Sequence, residues 1–331
     1  MAPLRIVSLF SGCGGMDLGF EQEGHYTVVW ANDTNGAARK TYAQNRPGAV
    51  LDGRSLRDIP SADIPDCEGV IGGPPCQPFS SFGARRGEMD PRGTLAFEFV
   101  RVVADKLPRF FVLENVAALA TDTRHKGMYN ALLTSFQSLG YVVRADVLVG
   151  TAYGLAQSRR RLFIVGVRSD QPGVYEPPKP RRRRPRTMRD VIGDLSGSAR
   201  PTNGYQTRNP KINAHEYVPL ATSPLSRWFL GAQRVREWDK PSYTIVASLT
   251  SIVLHPSCPK LIRHKHRDYR LAKPKSAYRR MTARECARLQ GFPDTFLFEY
   301  TSITPVYRLI GNAVPPPLAR VVAQSVYRAL R

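Results

Sequence analysis

Arg5-Ile6-Val7-Ser8-Leu9-Phe10-Ser11-Gly12-Cys13-Gly14-Gly15 is a short, largely apolar run that stops at a cluster of glycines. Residues 5–10 read as a buried strand, since a continuous apolar run of this length bounded by turn residues suits a covered sheet. The glycines then allow a tight turn in which the backbone itself can approach a ligand. A helical run follows from Met16 to Glu23, and a second strand, Thr27 to Ala31, ends just before Asp33. Strand, glycine turn, helix and strand form the opening unit of a parallel, doubly wound α/β sheet. The turn does not read G-x-G-x-x-G, which disfavours a nicotinamide dinucleotide. An acid roughly twenty residues on, at the end of the second strand, suits the ribose hydroxyls of a nucleoside cofactor.

The same alternation continues outward from this unit. Asn35 to Gln44 reads as a helix, and Val70-Ile71 and Phe110 to Leu113 as short apolar strands. An amphipathic helix, Leu95 to Ala104, lies between them, and Val142 to Val149 and Arg161 to Val167 are later strands. Near residue 170 the pattern breaks. Pro172, Pro177, Pro178, Pro180 and Pro185 surround Arg181 to Arg184, which marks a loop or linker. Residues 186–277 lack the alternation, and helical character returns at Thr282 to Leu289 and Pro317 to Leu330. The expected organisation is a large α/β domain over 1–168, completed by 300–331, and a smaller domain over 169–299.

Composition narrows the function class. The 331 residues carry a formal net charge of +21 and a pI near 10.2. That balance points to a polyanionic partner, above all nucleic acid. Arginine supplies most of the 48 positive side chains and suits bidentate contact with phosphate and guanine. No apolar run approaches the roughly 20 residues that cross a bilayer, and since Arg5 leads straight into a strand, no signal peptide is expected. Five cysteines form no CxxC pair and no even framework, so a reducing, cytoplasmic setting is expected. His264-Lys265-His266 near Cys258 is an incomplete metal-ligand set and reads as a basic loop; no metal is expected.

A second segment carries chemistry. Gly72-Gly73-Pro74-Pro75-Cys76-Gln77-Pro78-Phe79-Ser80 mounts one cysteine between two proline-stiffened steps. Alone, this is equally a tight turn with an incidental thiol. A nucleophile, however, must be held in one place.

The ordered set of motifs resembles the cytosine carbon-5 DNA methyltransferases, most closely the short bacterial members. It runs through SLFSGCGGMDLGF (8–20), GGPPCQPFS (72–80), DPRGTL (90–95), ENV (114–116), QSRRR (157–161), RRMTARECARLQGFPD (279–294) and GNAVPPPLA (311–319). HEY, RVREW, KPSYTI and LHP within 213–256 are similar to the branch that recognises GGCC. The resemblance implies a Rossmann-like, mostly parallel sheet of the S-adenosylmethionine-dependent type, with a second, target-recognition domain. It implies S-adenosylmethionine held by Phe10, Gly12, Gly14, Asp33, Pro75, Leu95, Asn312 and Ala313, with S-adenosylhomocysteine as product. Asp33 stands where the family often has Glu, Ala156 where it has Pro, and Ala313 where it has Ser. The acid that meets the adenine is not assignable within Asp52 to Asp58.

The chemistry implied is methylation of a cytosine flipped out of duplex DNA. Cys76 is the candidate nucleophile at ring carbon 6, and Glu114, after a buried strand, the candidate acid at ring nitrogen 3, since desolvation would keep its proton available. Arg161, with Arg159 and Gln157, would hold the base's carbonyl oxygen and anchor Glu114. The segment Ser80 to Gly93 has the composition of a mobile loop closing over DNA, with Ser80, Arg85 and Arg86 as contacts. Arg234 and Arg236 match the base-reading stretch of the GGCC branch, whereas Ala232 and Ala247 to Ser251 depart from it. The expected target is therefore a short GC-rich site related to GGCC but not identical to it. A monomer acting beside a separate restriction endonuclease is expected; the alternative is a tRNA cytosine-5 methyltransferase of the same family.

Overall fold

The computed structural model describes residues 2–75, 95–195, 197–201, 213–220, 230, 232–248, 251–266 and 268–331. Leu4–Leu9 forms β1, with Ile6, Val7 and Leu9 fully buried, as its apolar run requires. Then come α1 (Gly15–Glu21), β2 (Tyr26–Asn32), α2 (Gly36–Asn45), β3 (Leu51–Asp52), β4 (Gly69–Gly72) and α3 (Leu95–Lys106). β5 (Phe110–Val116), α4 (Ala118–Thr121), α5 (Lys126–Ser138), β6 (Tyr141–Val149) and β7 (Arg160–Arg168) complete the first part. These strands form one seven-stranded sheet in the order β3-β2-β1-β4-β5-β7-β6.

The expected parallel alternation holds from β1 to β5. β7 departs from it. It lies between β5 and β6 and is antiparallel to both. The connection from β6 to β7 is short and carries no long crossover helix, so the chain returns antiparallel. Strand order reverses between β1 and β4, and a crevice opens beyond their carboxyl ends, where open α/β sheets bind ligands.

Two apolar layers cover the sheet. On one face α1 and α9 (Pro316–Ala329) pack with Phe20, Phe110, Val165, Leu318 and Val322. On the other, α3 and α5 pack with Phe99, Phe111, Leu132 and Phe136. α1 meets α9 closely: a Cβ at Gly19 would lie 2.4 Å from the Pro316 carbonyl oxygen and 2.5 Å from Ala319 Cβ.

The remaining described elements are small: α6 (Arg189–Ile192), the pair β8 (Arg200–Pro201) and β9 (Glu216–Tyr217), and the hairpin β10 (Ile262–Lys265) with β11 (Asp268–Arg270). α7 (Ala283–Gln290) starts at Thr282, whose side chain and Glu285 form a reciprocal capping box. α8 (Ile303–Asn312) shares one apolar cluster with α6 and α7, through Ile192, Cys286, Leu289, Val306, Tyr307 and Ile310. The boundary expected after residue 299 lies between α7 and α8, which share that cluster, and α9 packs on the sheet.

Candidate active site

The turn after β1 takes the backbone into a region that L side chains rarely adopt. Phe10, Gly12 and Gly14 have φ of 53°, 57° and 86°, which glycine tolerates and Phe10 accepts only under local constraint. The constraint is visible. Ser11 N donates to Asn32 O at 2.9 Å, and Gly12 N donates to Asp33 Oδ2 at 2.8 Å. Asn35 N donates to Asp33 Oδ1 at 2.7 Å, and Asn35 in turn caps α2. Beneath the turn, the fully buried Asp17 accepts from Ser8 Oγ and Tyr42 Oη, each at 2.7 Å. Burial pushes the Asp33 carboxyl up, against the two backbone donors and Arg39.

This turn forms one wall of a cavity of about 580 Å³, within the range of small-ligand sites. Phe10, Gly12, Asp33, Pro75, Leu95, Asn312 and Ala313 line it, as do Glu114 and Arg161. Gly14 does not. It lies behind the turn, where a Cβ would stand 2.6 Å from Arg46 Nη1; its task is to let the turn close. The lining that the sequence reading did not assign includes Ser55, Leu56 and Arg57. Asp52, the acid ending β3, is ion-paired with Arg54 at 2.7 Å and does not line the cavity.

Glu114 sits within β5 rather than after it, and is only 6% exposed. Its Oε1 lies 2.8 Å from Arg161 Nε. Burial pushes this carboxyl up, opposed by the guanidinium groups of Arg161 and Arg159. The pairing is a consequence of β7. Register places Phe163 opposite Glu114 and Arg161 opposite Val116, so Arg161 is the diagonal neighbour of Glu114 on the same face. The next residue, Asn115, points the other way and donates from Nδ2 to Pro74 O at 3.3 Å. A Cβ at Gly73 would be 3.1 Å from Glu114 Oε2. Glu114 and Asn115 thus bracket the loop that leads to residue 76. Asn115 was legible only as the neighbour of an acid, because its partner is 41 residues away.

Gln157 and Arg159 are tied into the fold by buried hydrogen bonds. Gln157 is fully buried and bonded to Ile245 N, Leu289 O and Gln290 Oε1. Arg159, also fully buried, donates to the carbonyls of Ile245, Gly311 and Ala313. Both precede β7, which begins at Arg160.

Cys76, Ser80, Arg85 and Arg86 lie outside the described residues. Burial pushes the thiols of Cys13 and Cys67 up to about 12, and those of Cys258 and Cys286 also upward. None of these four is a ready thiolate at neutral pH. Arg236 stacks on Tyr243 at 4.7 Å and donates from Nε to Pro241 O at 3.1 Å. Arg234 is held through its own carbonyl, which accepts from Leu254 N. No cluster of potential metal ligands occurs among the described residues.

A family model for the C-5 cytosine-specific DNA methylases matches residues 4–328. The chain belongs to this family. It is a DNA cytosine-5 methyltransferase, and membership implies S-adenosylmethionine as methyl donor. It is 40% identical to the type II methyltransferase M.NgoPII of Neisseria gonorrhoeae, covering 99% of this chain and 96% of that protein. It is 38% identical to M.FnuDI of Fusobacterium nucleatum, covering 99% and 95%. It is 39% identical to M.MthTI of Methanothermobacter thermautotrophicus, covering 99% and 98%. The fold matches a prophage-encoded DNA modification methyltransferase structure from Escherichia coli, with a TM-score of 0.75 at 22% identity over 99% of both chains. It also matches Spodoptera frugiperda DNMT2, with a TM-score of 0.67 at 17% identity over 99% of both chains.

Proposed function

We propose that this methyltransferase acts through a covalent Cys76 adduct on a cytosine flipped from a short GC-rich duplex site, as the modification enzyme of a restriction–modification pair. The observation that carries this is the buried Glu114 carboxyl, ion-paired with Arg161 at 2.8 Å beside the Gly73-Pro74-Pro75 loop, which immediately precedes Cys76 in the sequence. The type II names of its relatives support the pairing with an endonuclease.

The cavity fits the methyl donor. Each Asp33 oxygen already accepts one backbone N–H and keeps acceptor capacity toward the cavity, which suits the two hydroxyls of a ribose. Phe10, Leu56 and Leu95 supply apolar wall, and Asn312 and Ala313 also line the cavity. When bound, the donor supplies an electrophilic methyl group.

The remaining chemistry belongs to the chain. The Cys76 thiolate forms a bond to ring carbon 6 and pushes the carbon 5–carbon 6 electron pair onto carbon 5, making it nucleophilic. Glu114, whose carboxyl burial pushes upward, donates a proton toward ring nitrogen 3 as charge develops there. Arg161 fixes the carboxyl and offers its remaining N–H groups to the base's carbonyl oxygen. After methylation, loss of the carbon 5 proton to a base expels the thiolate and restores the ring. The small region, about 169–299, reads sequence through Arg234 and Arg236; Tyr243 under the Arg236 guanidinium leaves its Nη edge to meet a guanine.

Labelled methyl transfer to duplex DNA, with tRNA as the competing substrate, tests the substrate class. Duplex containing 5-fluorocytosine should trap the wild type in a denaturant-stable adduct and Cys76→Ala should form none. Preferential transfer to tRNA, or an adduct with the Ala variant, would reject the proposal. Bisulfite mapping of methylated plasmid then names the site, and strict GGCC methylation would reject the altered target.

A further inference from the structure

Between the cofactor cavity and the base-reading region lies a cluster of polar side chains sealed from solvent. Gln157, Arg159 and Gln290 are all fully buried. The segment 242–245 runs beside 156–158. Ser242 N donates to Ala156 O at 2.8 Å, Ser158 N to Ser242 O at 2.9 Å, and Thr244 Oγ1 to Ser158 O at 3.0 Å. Ile245 N donates to Gln157 Oε1 at 2.9 Å, and Gln157 Nε2 donates onward to Gln290 Oε1 at 2.7 Å. Gln290 Nε2 then donates to Ala313 O at 2.7 Å and Ile310 O at 3.1 Å. Arg159 closes the circuit, from Nη1 to Ile245 O at 2.9 Å and from Nη2 to Gly311 O at 2.8 Å. At Gly311 the backbones touch: a Cβ there would lie 2.4 Å from Ala247 N.

The two ends of this circuit meet the two ligand surfaces of the function proposed above. Asn312 and Ala313 line the cofactor cavity. Ala247 opens the stretch that stands in the base-reading position. Moving 245–247 must either carry 311–313 with it or break buried hydrogen bonds that water cannot replace, and such networks resist partial disruption. An element held this way has few intermediate positions.

We propose that Gln290, with Gln157 and Arg159, is a positioning residue that couples DNA seating to the cofactor wall, so that the target duplex tightens cofactor binding and cofactor tightens duplex binding. The inference rests on the function proposed above. Reciprocity follows from linkage: each ligand changes the other's affinity by the same factor.

The test is calorimetric titration of the full chain with S-adenosylhomocysteine, alone and with saturating duplex carrying the mapped site. Wild type is compared with Gln290→Met, which keeps volume and removes both ends of the amide, and with Thr244→Val at the edge of the circuit. In wild type the duplex should tighten binding by at least about fivefold, the lower end of ordinary coupling. Gln290→Met should bring that factor to within about twofold of unity while affinity for S-adenosylhomocysteine alone changes by less than about threefold; Thr244→Val should fall between. Loss of packing alone would weaken binding with and without duplex equally and leave the ratio intact. Undiminished coupling in both variants overturns the inference, as does a wild type with no coupling. If Gln290→Met does not fold, undiminished coupling in Thr244→Val overturns it. A wild type that binds no S-adenosylhomocysteine would instead reject the reading of the cavity.

Discussion

Two carboxyls at this site have been raised by burial, and their neighbours give them different work. Glu114 is buried and ion-paired with Arg161 beside the Pro-Pro loop, whereas Asp33 accepts the backbone N–H groups of Gly12, in the glycine turn, and Asn35. A raised folded pKa keeps the acid form present below it and loses that form as pH rises through it. Catalysis that needs protonated Glu114 should therefore fall on the alkaline side. Glu114→Gln should lower turnover by about 10²-fold or more and remove that alkaline limb from the pH profile of kcat, with cofactor affinity spared. A retained limb, or loss of cofactor binding with intact turnover, would reassign the residue. Asp33→Ala should do the reverse. Removing a charged acceptor costs roughly 1.5–3 kcal/mol per hydrogen bond, so the KM for S-adenosylmethionine should rise by about tenfold or more while kcat at saturation survives.

At the scale of elements, the antiparallel β7 makes the site. Arg161 reaches Glu114 because the strand that carries it runs opposite to β5; a parallel insertion would have put another residue on that diagonal. The cofactor wall depends likewise on the packing of α1 against α9, which brings Val314 over Gly15 and Pro316 over Gly19. Gly19→Ala should overpack this contact. The expected cost is about 1–3 kcal/mol, read as a fall of several degrees in Tm by calorimetry. An unchanged Tm would mean that the two helices separate at no cost.

The whole molecule is a cation of +21, and its exposed charge and its half-buried arginines should behave differently. Arg182 and Arg183 are exposed on the proline-rich loop, whereas Arg184 is paired with Asp190 at 3.0 Å. Replacing Arg182 and Arg183 by Ala should weaken all duplexes alike and reduce the slope of log K against log salt by about 0.9 for each phosphate that the pair neutralises. Arg234→Ala should leave that slope nearly intact and relax choice at one base pair, by about 1–3 kcal/mol. Binding titrations at several salt concentrations, on cognate and single-mismatch duplexes, separate the two; a sequence-selective effect from the loop pair would contradict the division.

By itself the sequence determined the strands, the glycine turn and the place of Asp33 after the second strand, because each is a local matter: an apolar run selects a strand, and glycine permits positive φ. It also carried Glu114 and Arg161 as members of ordered motifs. It did not determine the direction of β7, since strand propensity is the same in both directions and only the length of the connection and the pairing register decide. For the same reason Arg159 and Arg161, two residues apart in one motif, looked equivalent. Tertiary structure sent one to a carboxylate in the cavity and the other to the carbonyls of Ile245, Gly311 and Ala313. Their partners lie between 47 and 154 residues away, and no local pattern encodes a distance in space between segments that only the folded core brings together.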